Sequence, residues 1–295
     1  MRIMLPAAML SAVFAAATLA AESDKPVGQQ IIDQYLKMPI PATDPKGEAR
    51  IARLQLIKQI SQLGDEAVDA LAATFPRLSD PKRRAELAGA LGAIPTRASA
   101  DQLVKLLKDP DDQVRWNAIH YLRLLASRVD RSGGKRQQRG DEHPPKVGGL
   151  VPHLIAAASN KAPANRDCAA YALADTLDPA AIAQLRKMLK DDNLNVRLHA
   201  ACFLTEFADA SGLPELRRAI DRFRPVDGAN LDLLLHAEML LASLERITGK
   251  SFGPIPMDPG LMSNLDQAAA ARQQYKFLLD AYAQWFAWNP PPASR

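Results

Sequence analysis

The chain has 295 residues, with 37 Lys and Arg against 33 Asp and Glu and a formal net charge of +4. That balance is too even to argue for a nucleic-acid partner, and two cysteines are too few for a disulfide scaffold. The first residues read Met1-Arg2, then an apolar run from Ile3 to Ala20 broken by Pro6, Ser11 and Thr18. One basic residue, an apolar centre and a small-residue end predict a secretory signal over 1–20, hence a periplasmic or secreted chain. An uncleaved anchor is the competing reading, because the run is near the lower length limit for a spanning helix. No later segment is apolar for long enough to cross a bilayer, so no membrane insertion is expected after cleavage. Residues 21–47 carry Pro26, Pro39, Pro41 and Pro45 and read as a linker. One short amphipathic helix is expected there, around Ile31, Ile32, Tyr35 and Leu36.

From Gly47 onward the pattern is helical, and nothing alternates with a period of two over a useful length, so almost no strand is expected. Arg53, Arg84, Arg115, Arg166 and Arg197 each open a segment with small or apolar residues three and seven places on. Three of the gaps are 31 residues and the fourth, Arg115 to Arg166, is 51, one period plus a 20-residue insertion. Leu103–Ala126 matches Leu185–Ala208 at ten of 24 positions with one fixed offset of 82. A period of this size predicts stacked units sharing a continuous core. Each unit reads as two helices. Leu103, Leu106 and Leu107 stripe the first, Asp109-Pro110-Asp111-Asp112 makes the turn, and a second helix follows from Gln113.

The segments Asp-Pro-Asp-Asp-Gln-Val-Arg-Trp-Asn-Ala (109–118) and Asn-Val-Arg-Leu-His-Ala-Ala (195–201) resemble HEAT repeats, in particular the short 31-residue repeats of phycobilin-lyase-like proteins. The resemblance covers residues 48–245. It implies an all-α solenoid, a right-handed superhelix of helix pairs with one concave face used mostly for binding other proteins. The piece Leu244 to Gly253, with Thr248-Gly249 and Phe252-Gly253, is similar to a tail of exported bacterial HEAT proteins. The Trp-x-x-Trp cluster of that tail is displaced here to Trp285 and Trp288.

The insertion, 128–148, holds six Lys or Arg, three Asp or Glu, four Gly and two Pro, and reads as a mobile loop between the third and fourth units. A basic finger for an acidic partner is its functional reading. Leu231–Leu244 extends the stack, and Gly249 suits a left-handed helix stop. Residues 246–295 form a C-terminal extension whose helix, 266–288, carries six of the chain's 16 aromatics. It reads as a cap over the open end of the stack, or else as an aromatic docking surface. The repeat arginines follow loop carboxylates such as Asp80 and Asp111 by four residues, at Arg84 and Arg115. This predicts ladders of ion pairs that set register more than stability.

Counting each second helix from its Arg at about 100° per residue, positions 3, 7 and 10 form the core side and positions 2, 5 and 9 the opposite side. In the HEAT arrangement the opposite side lines the concave wall. Its last three rows are Asn117, His120 and Leu124; Cys168, Tyr171 and Asp175; and His199, Cys202 and Glu206, with Trp116 flanking them. This is the candidate partner-binding surface, for another protein or peptide. The competing reading has second helices packed edge to edge, so that His120, Tyr171 and Cys202 fill the seam. Two Cys and two His facing one groove also raise a metal site at Cys168, His199 and Cys202, and export raises a Cys168–Cys202 disulfide. No Gly-rich nucleotide loop and no His-Glu pair occurs. The expected function is therefore a non-catalytic protein-binding scaffold of the cell envelope, with no cofactor. The alternative is a small-molecule or metal site, with or without catalysis, at the Cys/His cluster.

Overall fold

The computed structural model describes residues 25–38, 48–127, 129–130, 137–138, 146–223, 231–256 and 265–290. The expected signal at 1–20, and most of the linker and of the insertion, lie outside the described residues. The helices are α1 (Val27–Lys37), α2 (Glu48–Leu63), α3 (Asp65–Thr74), α4 (Pro81–Gly92), α5 (Arg97–Leu106), α6 (Asp112–Ala126), α7 (Val151–Ala157), α8 (Pro163–Thr176), α9 (Pro179–Met188), α10 (Leu194–Leu204), α11 (Leu213–Phe223), α12 (Leu231–Thr248) and α13 (Leu265–Trp288). They follow the predicted alternation of first and second helices, with α13 added at the end. Among the described residues strand is confined to β1 (Val129–Asp130) and β2 (Gln137–Gln138), paired antiparallel within the insertion. So part of the segment expected to be an unstructured loop forms a small hairpin. Where the insertion rejoins the stack, Val147 is buried and its N–H donates to the Leu125 carbonyl at 2.9 Å.

The chain divides into two compact units, Met1–Tyr121 and Leu122–Arg295, and each is described by itself. In both, the core is the periodic set read from the sequence. Ile60, Leu87, Leu91 and Ala118 are fully buried in the first unit. Leu122, Ala169, Leu173, Ala200 and Leu204 are fully buried in the second. Helix starts carry the expected caps. Asp80 accepts from the Lys82 amide, Asp111 from the Gln113 and Val114 amides, Asp178 from Ala180, and Asn193 from Asn195 and Val196. Gly249 takes φ 66° at the end of α12 and its N–H donates to the Glu245 carbonyl, the left-handed stop that its position predicts.

The repeat arginines form the expected ladder of ion pairs between repeats, but with carboxylates other than those four residues earlier. Asp80 and Asp111 are occupied as helix caps, so the Arg four residues on does not pair with them. Instead its Nη1 donates to the two carbonyls six and five residues earlier. Arg84 reaches Leu78 and Ser79 (3.1 and 2.9 Å), Arg166 reaches Asn160 and Lys161 (3.1 Å each), and Arg197 reaches Asp191 and Asp192 (2.8 and 3.1 Å). Arg115 does the same with Asp109 and Pro110. The rest of the guanidinium forks forward onto the next unit. Arg84 holds Asp109 at 2.9 and 3.1 Å and Arg166 holds Asp191 at 2.7 Å through both nitrogens. Each fork raises the pKa of its Arg. Burial alone would raise Asp191, but hydrogen bonds from Arg166 and the Asn193 amide hold it below the ordinary carboxylate range. One side chain thus closes its own loop and fixes the neighbour's.

Tight approach replaces side-chain bulk between α4 and α6. Tyr121 lies across Gly89 and Gly92, and a Cβ on Gly92 would stand 2.2 Å from Tyr121 Cδ1 and 2.7 Å from its Cβ. Gly92→Ala is therefore expected to cost about 1–3 kcal/mol, because the ring cannot retreat without moving its own Cβ. A urea unfolding midpoint lower than that of the parent checks this.

At the C-terminal end, α13 buries Tyr275, Leu278, Leu279, Tyr282 and Phe286 in one cluster with Leu216 of α11 and Leu240, Leu241 and Leu244 of α12. Tyr275 and Tyr282 donate their hydroxyls to the carbonyls of Pro256 and Lys250, both at 2.6 Å, and Phe252 packs edge-on against Tyr282 at 4.8 Å. These contacts carry the capping reading of α13. Phe277 and Trp288 stay exposed on it. No described helix is long and apolar enough to cross a membrane.

Candidate functional site

Trp116, Asn117 and His120 lie in the first unit. Trp116 stacks on His120 with ring centroids 5.2 Å apart, and His120 meets Tyr121 edge-on at 5.1 Å. Asn117 Nδ2 donates to the Ala85 carbonyl at 2.8 Å, so Asn117 joins α6 to α4 as well as facing outward.

The other six predicted residues lie in the second unit and separate into two groups. Cys168 is 5% exposed and Asp175 1% exposed, which removes both from any surface a partner touches. The reason lies in α8. Its small residues Ala169, Ala170, Ala172 and Ala174 let the neighbouring helices approach closely. The side of α8 opposite the core is then covered as well. The edge-to-edge seam is thus the arrangement at Cys168 and at Cys202, itself 1% exposed. Asp175 Oδ2 accepts from Arg123 Nε at 2.7 Å inside that seam.

Tyr171, His199, Cys202 and Glu206 do come together. They line a groove of about 510 Å³, with Phe203 on the same side. The opposite side is α12, which contributes His236, Glu238, Met239, Ala242, Ser243 and Arg246. Aromatic rings build the inner wall. Tyr171 meets Phe203 edge-on at 4.5 Å and His199 edge-on at 5.1 Å, and His199 stacks on His236 at 5.1 Å with an interplanar angle of 5°. His199 Nδ1 lies 2.5 Å from Asp167 Oδ1, which makes it the donor to that carboxylate. The Tyr171 hydroxyl reaches the Met239 sulfur at 3.8 Å, bridging α8 to α12. A second hollow of about 450 Å³ adjoins the first and shares Ala242 and Arg246 with it. Its other lining includes Glu245, Ser251 and Ile255.

The α12 residues were missed in the sequence because the register Arg is absent from this helix. The core residues Leu240, Leu244 and Ile247 put position zero at Ala237, 40 residues after Arg197. From there positions 2, 5 and 9 are Met239, Ala242 and Arg246, all of which line the groove. The wheel rule that chose His199, Cys202 and Glu206 on α10 would have chosen them too. What hid them was the change of marker residue and the longer spacing.

Chemically the groove is largely apolar and not primed for thiol or metal work. Burial pushes both Cys168 and Cys202 up to about 12, far from the range in which a thiolate forms at neutral pH. Both cysteines are free, so the disulfide does not form. Among the described residues no group of three or more His, Cys, Asp or Glu is placed to hold a metal, and Cys168 lies outside the groove lining. Native protein at pH 8 is expected to react negligibly with a disulfide reagent, and the unfolded chain to release both thiols, measured by thiol titration with and without denaturant.

Helix pairs in sequence order define an all-α solenoid. The sequence profile for HEAT repeats matches residues 69–131 and 151–226, so these stretches are HEAT repeats. No curated protein matches the chain. Among solved structures it is similar to a designed armadillo repeat protein in complex with the peptide (KR)4, at 16% identity over 74% of this chain and 99% of that one, with a TM-score of 0.39. It is also similar to Kap95p from a complex with RanGDP, at 14% identity over 92% of this chain and 38% of that one, with a TM-score of 0.46. A third similarity is to the CpcE–CpcF phycocyanin lyase complex of Nostoc sp. PCC7120, at 19% identity over 87% and 95%, with a TM-score of 0.29.

Proposed function

We propose that this protein is a non-catalytic binding scaffold, and that the groove between α10 and α12 receives a segment of a partner protein. The observation that carries this is the lining itself. Tyr171 and Phe203 line one side of an open trough and Met239 and Ala242 the other, and His199 stacks on His236 across it. Aromatic and Met side chains at the floor with charged groups at the edges suit a protein segment. The raised thiol pKa values disfavour thiol chemistry in the groove. The apolar run Ile3–Ala20 supports an exported chain acting in the cell envelope.

A photo-crosslinking amino acid at Met239 tests the scaffold reading in intact cells. It is expected to give a discrete protein adduct that the same probe at Lys276, exposed on α13, does not give. Adducts identical from both positions, or none from Met239, would remove the groove from partner capture. Fractionation of the same cells checks export, with recovery of the shortened chain outside the cytoplasm as the expected result.

A further inference from the structure

The groove carries two charges that the protein does not neutralise. Glu238 has no hydrogen bond or ion pair among the described residues, although burial desolvates its carboxylate and raises its pKa. Arg246 donates to the Thr205 hydroxyl at 2.9 Å and to no carboxylate. As a residue Arg246 is exposed, yet protein atoms crowd its guanidinium enough to depress the pKa. Other half-buried arginines among the described residues do hold carboxylates, as Arg84 with Asp109 and Arg166 with Asp191. Half-desolvated charges left unmatched cost free energy unless something supplies the opposite charge.

Their placement sets what that something looks like. Glu238, Ala242 and Arg246 recur every four residues along α12, so their Cα atoms rise by about 6 Å per step and about 12 Å in all. An extended peptide advances about 3.3 Å per residue, and residues i, i+2 and i+4 point to the same side. Three successive same-side side chains therefore match Glu238, Ala242 and Arg246 in spacing. The Ala242 methyl leaves room for an apolar side chain at the middle position, beside Phe203 and Met239. The adjoining hollow beyond Arg246 gives the segment a path onward.

We infer that the groove recognises an extended partner segment of the form basic–x–apolar–x–acidic, in either chain direction, with its basic side chain on Glu238 and its acidic side chain on Arg246. This deepens the scaffold reading and rests on it.

The test pans a random heptapeptide library displayed on phage against the full chain and against three variants: Glu238→Gln, Arg246→Gln and Ala242→Trp, the last filling the trough. Peptides enriched on the parent are expected to carry Lys or Arg four residues from Asp or Glu, with an apolar residue midway. Glu238→Gln is expected to lose the basic preference and Arg246→Gln the acidic one, each with at least a ten-fold fall in binding of a parent-selected peptide. All variants are checked by far-ultraviolet circular dichroism and melting, and Glu238→Gln is expected to melt no lower than the parent. Enriched peptides lacking the charge pair, or the same preference on Glu238→Gln, overturn the inference. Enrichment equal on Ala242→Trp overturns it as well. If Met239 still gives its discrete adduct in cells while the charge pair is missing from the peptides, the scaffold reading stands and this inference alone falls. Loss of that adduct brings down the scaffold reading itself.

Discussion

Arg123→Met is expected to destabilise the second unit by about 3–5 kcal/mol. Arg123 Nε donates to Asp175 Oδ2 at 2.7 Å, and their side chains are 14% and 2% exposed. Removing the guanidinium takes a charge-assisted hydrogen bond from a carboxylate that solvent does not reach, and breaking a buried pair costs far more than a surface pair returns. The guanidinium also lies 5.7 Å from the Tyr171 ring centroid, so its loss loosens one wall of the groove as well as the seam. Urea unfolding monitored by circular dichroism reads the size of the effect. The double change Arg123→Met with Asp175→Leu is expected to recover most of the loss, since two apolar side chains no longer strand a charge. A single variant within about 1 kcal/mol of the parent would place the pair among the weak surface interactions.

Leu240→Ala is the second large effect, about 2–5 kcal/mol. Leu240 is fully buried in the cluster that joins α10, α11, α12 and α13. Truncation removes packing atoms and leaves a cavity that rigid neighbours only partly fill. In a stack of pairs each unit is stabilised through its neighbours, so the loss should appear first as local opening. Hydrogen exchange read by mass spectrometry is expected to speed up over 231–256 and 265–290 and to remain unchanged over 48–106. Uniform acceleration along the chain would mean that it opens only as one cooperative whole.

These two sites show where the sequence was legible. The helical pattern, the 31-residue period and the core positions could be read directly, because a buried stripe demands an apolar residue at every turn. Ile60, Leu91, Leu122, Leu173 and Leu204 are all buried where the period places them. Caps at Asp80, Asp111 and Asn193 were legible for a similar reason, since a short polar side chain before a periodic segment has one backbone job to do. The partners of the repeat arginines were not. Asp109 and Asp191 lie 25 residues beyond Arg84 and Arg166, a separation that only the stacking of one loop on the next brings within bonding distance.

The groove shows the same division. Sequence alone determined that Tyr171, His199, Cys202 and Glu206 sit opposite the core of their helices, because side-chain direction on a helix follows from position. Whether such a side faces solvent or another helix depends on how near the neighbours come, which the volumes of several helices set together. The alanines of α8 draw its surroundings in and bury Cys168 and Asp175, while between α10 and α12 the trough stays open. Only the tertiary structure decided that α12 is the far wall, and that Glu238 and Arg246 face the trough with no ion pair among the described residues, because pairing is a matter of distances across the stack that no single helix encodes.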